Sequence, residues 1–142
     1  MRSCLLLLIG SLLIAGCQES APPPVDPVPA GVELPPGMPN DNWFYENVLT
    51  SKVPVLVDFN ATWCGPCQKM KPAIKAIGET YGERIKVVEI DIDEHPFLSD
   101  HFSISGIPHL MVILEGKIRD QAIGLQSYSK IVSLLLPTAG RP

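Results

Sequence analysis

Between Val53 and Phe59 the chain reads Val-Pro-Val-Leu-Val-Asp-Phe, apolar and rich in β-branched side chains apart from Pro54 and Asp58. Such a run suits a strand covered on both faces, which a layered fold provides. Directly after it stand Asn60-Ala61-Thr62-Trp63-Cys64-Gly65-Pro66-Cys67. From Cys64 to about Tyr81 the apolar residues Met70, Ile74, Ile77 and Tyr81 recur at spacings of four, three and four, which predicts a helix. Gly82 can end that helix and Pro72 should kink it. A buried strand that enters a helix through a two-cysteine turn therefore sets the frame for everything else.

The flanking segments fit that frame. Asp41 can cap a short helix carrying Trp43, Phe44 and Val48. Ile85 to Asp91 reads as a second strand, and Glu94 to Phe102 as a short helix. Leu110–Leu114 and Ile118–Ile123 flank Glu115-Gly116-Lys117 and read as a hairpin. Ser127 to Leu136 is an amphipathic helix with Tyr128, Ile131, Val132 and Leu135 on one face. The order α-β-α-β-α-β-β-α predicts an α/β fold, a mixed central sheet flanked by helices.

Three chemistries suit two cysteines separated by two residues. A zinc clip needs four ligands, and no second cysteine pair accompanies Cys64 and Cys67, although His95, His101 and His109 are available. A purely structural disulfide would close a loop too small to gain much from chain entropy. A redox pair needs one thiol activated as a thiolate, and a helix start supplies unpaired N–H groups and partial positive charge. On that reading Cys64 is exposed and nucleophilic, and Cys67 is the buried resolving thiol. Trp63 and the intervening Gly65-Pro66 favour the redox reading.

Two other features bear on the choice. Asp58 interrupts an apolar strand, where a carboxylate is costly to bury without a purpose or a partner. Desolvation would raise its pKa and suit it to deprotonate Cys67 through water; the alternative is a carboxylate tilted to solvent at the strand end. Gly106-Ile107-Pro108 precedes the strand at Leu110. The proline reads either as a strand boundary only, or as a cis bond that sets an Ile107 backbone edge beside the cysteines for an extended substrate segment.

Together, Val57-Asp58-Phe59 with Ala61, Trp63-Cys64-Gly65-Pro66-Cys67 and Gly106-Ile107-Pro108 resemble the thioredoxin family, with Glu115-Gly116-Lys117 and Gly124 fitting its later turns. The resemblance runs from about Asp41 to Leu136. It implies a thioredoxin fold, a redox-active Cys64–Cys67 disulfide, catalytic Cys64 and Cys67, an assisting Asp58, and a cis Pro108 that shapes a substrate groove with Trp63, Gly65, Pro66 and Ile107. It calls for no metal and no cofactor. Three residues depart from the family pattern: Asn60 where an aromatic is usual, Glu89 where a lysine commonly faces the aspartate, and His109 where a threonine follows the proline. If Glu89 lies close to Asp58, one of the two carboxylates should be raised further in pKa. His109 would either stabilise a thiolate when protonated or serve as a groove residue. His95 and His101 read as surface histidines. The opening strand of the family has no clear counterpart.

The N-terminus carries a different signal. Met1-Arg2 is followed by an apolar run, Leu5 to Ala15, broken only by Gly10 and Ser11. The run is too short for a stable membrane span and reads as a secretory signal. Its end, Ile14-Ala15-Gly16-Cys17, resembles the bacterial lipoprotein signal, in which lipid is attached to the cysteine and cleavage precedes it. The expected division is a removed signal at 1–16, a lipidated Cys17 with a linker at 17–40, and a thioredoxin-like domain at 41–142. The linker holds eight prolines, Pro22 to Pro39. As polyproline II at about 3.1 Å per residue, it could reach roughly 70 Å. Cys4 would leave with the signal, so only Cys64 and Cys67 would remain as free thiols. Gln18 after the lipid cysteine leans toward the outer membrane in a Gram-negative cell, facing the periplasm.

The net charge of −4 includes no basic stripe, so nucleic-acid binding has no electrostatic footprint. The expected protein is a membrane-tethered thiol-disulfide oxidoreductase of the bacterial envelope, with a disulfide reductase in the lead. Its partners would be envelope proteins with disulfides, a membrane-embedded electron donor, and the lipid bilayer through Cys17. An oxidase or isomerase of the same fold, or a non-catalytic module that holds extended segments in the Pro108 groove, stands as the alternative.

Overall fold

A computed structural model of the chain describes residues 42–142. The signal, Cys17, the proline-rich linker and the proposed Asp41 cap all lie outside the described residues. The order is α1 (Asn42–Phe44) running into a π-helical turn (Tyr45–Leu49), β1 (Val55–Asn60), α2 (Gly65–Tyr81), a 3-10 turn (Gly82–Arg84), β2 (Lys86–Asp91), α3 (Pro96–His101), β3 (His109–Leu114), β4 (Lys117–Ile123) and α4 (Tyr128–Ala139). The sequence of element types matches the expectation, with ends displaced by at most three residues.

The four strands of the sheet lie in the order β2-β1-β3-β4. β1 runs parallel to β2 and antiparallel to β3, and β3 runs antiparallel to β4. All six residues of β1 are buried, as its apolar run requires. Side chains of a strand alternate between faces, and here the alternation divides the core in two. Leu56 of β1 joins Leu110 and Val112 of β3 under Met70, Ile74 and Ile77 of α2 and Ile131, Leu134 and Leu135 of α4. Val55, Val57 and Phe59 join Met111 and Ile113 on the opposite face, covered by Phe44, Val48 and Leu98. This two-sided cover holds β1 rigidly, and the two-cysteine turn begins one residue after it ends.

The turns follow from backbone chemistry. Glu115 and Gly116 both have positive φ, 52° and 71°. That pair of left-handed residues in a two-residue loop matches the right-handed twist of the strands it joins. Gly82 caps α2 at φ 56°, and its N–H returns to the carbonyl of Gly78. Ser127 starts α4, its hydroxyl accepting the N–H of Lys130. One expectation for α4 is corrected. Tyr128 is 38% exposed, whereas Leu134 is buried. The helix turns its 131, 134 and 135 positions to the sheet, and the Tyr128 hydroxyl reaches Thr80 at 3.4 Å over the outside of α2.

Candidate functional site

The site sits where β1 gives way to α2. Cys64 is the N-cap of α2, with extended backbone, and its Sγ accepts the Cys67 N–H at 3.2 Å. Pro66 stands in the first turn, where its missing N–H costs nothing. Cys64 and Cys67 form a disulfide. The Cys67 N–H and the N-terminal end of the α2 dipole thus face the sulfur of Cys64, the arrangement that favours a thiolate once the bond is reduced.

Exposure differs from the sequence expectation at Cys64. Its residue is only 4% exposed, and Cys67 is fully buried. Both sulfurs pack with Ala61 in a small cluster against Ile92 and Ile107. An N-cap faces its own helix end, and the two isoleucines cover what remains. Gly65 and Pro66 are exposed beside it, and Trp63 is 67% exposed. The Trp63 indole donates to the Asp93 carboxylate at 2.7 Å, so the ring is held although solvent surrounds it.

The Ile107–Pro108 peptide bond is cis. Ile107 touches the cysteine cluster, and Pro108 is buried with its carbonyl accepting the Gly124 N–H at 2.7 Å. Among the described residues Ile107 makes no main-chain hydrogen bond of its own. A backbone edge beside the disulfide is therefore open to an extended segment, the geometry that strand addition uses. Sequence reasoning brought Trp63, Cys64, Gly65, Pro66, Cys67, Ile107 and Pro108 to one place, and the structure does the same.

Asp58 is buried, 1% exposed, which excludes the solvent-tilted alternative. It shares the β1 face of Leu56, toward the layer of α2 and α4. Its Oδ1 has no hydrogen-bond partner among the described residues. Burial first, and the charge of Glu89 second, push its carboxyl up to about 7, while Lys71 pulls the other way. Glu89 is the register partner of Asp58 on β2. The departure noted at position 89 therefore does place a second carboxylate beside the first. Asn60, the other departure on β1, turns its amide to the Asp58 main-chain carbonyl at 3.1 Å.

His109 is corrected on both counts. It is neither a groove residue nor a cation: it is 3% exposed, set against Phe59 on the opposite face of the sheet from Asp58. Burial lowers its pKa, so the ring is neutral, and its Nε2 pairs with the Gln121 amide at 3.2 Å. His95 and His101 are half-buried rather than on the surface, and the His101 ring meets Phe102 edge-on. Among the described residues no three His, Cys, Asp or Glu side chains gather as metal ligands would.

Three contributors escaped the sequence reading. Ile92 and Asp93 carry no local pattern that ties them to residues thirty positions earlier. Lys71 was within reach, because four residues after Cys67 is one helical turn.

The chain matches the thioredoxin family over residues 37–136. It belongs to the thioredoxin family. It is 38% identical to a thioredoxin of Acidithiobacillus ferridurans over 96 residues, which is 68% of this chain and 89% of that protein. It is 41% identical to a thioredoxin of Porphyra purpurea over 95 residues, 67% of this chain and 89% of that one. It is 40% identical to thioredoxin 1 of Synechococcus elongatus over 84 residues, 59% and 78% of the two chains. The Trp-Cys-Gly-Pro-Cys run fits the two-cysteine active site of this family, and the protein is a thioredoxin-family thiol–disulfide oxidoreductase.

Proposed function

We propose that the protein is a disulfide reductase of the bacterial envelope, tethered to a membrane through lipid on Cys17 and facing the periplasm, with the outer membrane favoured by Gln18. The observation that carries the reductase reading is the Gly65-Pro66 centre between the cysteines, which resembles that of reducing thioredoxins rather than of strong periplasmic oxidants. The seat of Cys64, an N-cap sulfur at the α2 N-terminus beside Ile107, supports thiol–disulfide exchange as such, in either direction.

The Cys64 thiolate attacks one sulfur of a substrate disulfide, forming a mixed disulfide and releasing a substrate thiolate that takes a proton from solvent. The Cys67 thiol gives its proton to the Asp58 carboxylate, directly or through water, and the resulting thiolate attacks the Cys64 sulfur. That step forms the Cys64–Cys67 disulfide and releases the second substrate thiolate. Two electrons have passed from the protein to the substrate. In an oxidising compartment the pair stays useful only if it is re-reduced. A membrane-embedded donor fed from the cytoplasm fills that role, and misoxidised envelope proteins or cytochrome c precursors awaiting haem are the substrates that suit it. Trp63, Gly65, Pro66, Ile107 and Pro108 form the substrate groove.

The deciding experiment is the redox state of Cys64 and Cys67 in growing cells, read by acid quench and thiol alkylation. A mostly reduced pair supports the reductase. A mostly oxidised pair overturns it and puts an oxidase in its place. Cys67→Ser should accumulate mixed disulfides on Cys64; their absence would remove covalent exchange and leave a binding module.

A further inference from the structure

α2 and β2 meet over Asp58 in an arrangement that the thiol chemistry alone does not require. Cys67 and Lys71 are one turn apart on α2. Asp58 and Glu89 are side by side in the parallel pair of β1 and β2. The Lys71 ammonium and the Glu89 carboxylate close the figure at 3.5 Å. Beside that ion pair a crevice of about 530 Å³ opens between helix and sheet, lined by Lys71, Ile74, Lys75, Gly78, Val87 and Glu89. Its floor is apolar and its charged groups stand at the rim. Lys75 is engaged by Glu79 at 3.7 Å, which leaves Lys71 as the cation directed at Glu89.

We propose that the Lys71–Glu89 ion pair is a positioning unit that sets the pH at which Asp58 exchanges its proton, and hence the pH at which Cys67 becomes the resolving thiolate. The inference rests on the reading of Asp58 as the proton acceptor for Cys67. Glu89 opposes the negative charge of Asp58, and Lys71 offsets that opposition from across the crevice. Neither touches the reacting sulfurs. Among the described residues the other elements packed on this face add no charge: β3 presents Leu110 opposite Asp58, and the α4 residues there are Ile131, Leu134 and Leu135. In the reduced protein Cys64 and Cys67 are titratable as well. With both sulfurs in the disulfide, Asp58 titrates against Glu89 and Lys71 alone.

That last point supplies the test. The Asp58 carboxyl is followed by ¹³C NMR against pH in the full-length disulfide form of wild type, Lys71→Met and Glu89→Gln. Removing the cation should raise the midpoint by about 0.5 or more, and removing the carboxylate should lower it by a similar amount. The pH dependence of mixed-disulfide resolution, measured in the reduced proteins, should move in the same directions. A merely structural ion pair would change stability and leave both profiles in place. An unchanged midpoint in Lys71→Met overturns the proposal. Shifted midpoints with an unmoved resolution profile overturn its catalytic half. Resolution at the wild-type rate in Asp58→Asn would instead sink the proton-acceptor reading, while the carboxyl titrations would still report the coupling.

Discussion

At the scale of the residue, Asp58 is a buried carboxylate whose charge is costly to hold. Its carboxyl is pushed up to about 7 by burial and by Glu89, from an ordinary value of 3.8. The folded protein therefore holds this proton to higher pH than the unfolded chain does. Between pH 4 and 7 the folded state binds more protons, so stability is full below the ordinary value and falls as pH rises through 7. The loss is about 4 kcal/mol, at 1.36 kcal/mol for each pH unit of displacement. Asp58→Asn carries no such charge. It should be more stable than wild type by up to about 4 kcal/mol at pH 8, with the difference gone below pH 4. Denaturant unfolding at the two pH values reads this directly, and equal stability at pH 8 would mean that the carboxylate is not desolvated. The cost of Asp58 was visible in the sequence as a carboxylate inside an apolar run. Its coupling to Lys71 and Glu89 was half visible. Position 89 was noted as a departure, but the lysine that answers it stands on a helix and shows itself only once helix and strand are packed together. Cys64 was misjudged for a related reason: a helix N-cap was foreseen, but not the burial by Ile92 and Ile107 from two later loops.

At the scale of the element, strand and helix periodicity carried most of the fold. β1 was legible because a short, nearly unbroken apolar run rich in β-branched residues suits a strand buried on both faces. The β3–β4 hairpin was legible from Glu115-Gly116. α4 was placed correctly, with Ile131 and Leu135 on the buried face and Val132 beside it, but Tyr128 was set there in place of Leu134, because Leu134-Leu135-Leu136 offers three neighbouring apolar choices and Tyr128 mimics a core residue. The structure resolves that choice, and a pair of substitutions checks it. Leu134 is 1% exposed in the cluster with Leu56 and Ile77, so Leu134→Ala should cost about 2–5 kcal/mol in urea unfolding. Tyr128→Ala, at a half-open site, should cost less than about 1 kcal/mol. The reverse ranking would mean that α4 is rotated about its axis. The start of the same helix gives a smaller effect. Ser127→Ala removes the acceptor of the Lys130 N–H and should cost about 1 kcal/mol.

At the scale of the whole molecule, the proposed function joins the thioredoxin-family domain to the N-terminal residues that precede it. Under the proposed function, lipid on Cys17 confines the catalyst to a membrane surface, and the prolines between Pro22 and Pro39 give it a stiff reach. Confinement matters because a donor embedded in the same membrane is met at a far higher effective concentration than it would be by a freely diffusing protein. Cys17→Ser tests both halves at once. The full-length variant should leave the membrane fraction for the soluble fraction if lipid on Cys17 is the proposed anchor. Its Cys64–Cys67 pair should also become more oxidised in growing cells, because re-reduction now depends on free encounter with the donor while oxidation continues. In vitro, with a chemical reductant, its disulfide exchange should match wild type, because Cys17 has no part in the site. A variant that stays with the membrane would show that Cys17 is not the anchor. A soluble variant with an unchanged redox state would show that the donor does not depend on the tether, and would move the source of electrons off the membrane.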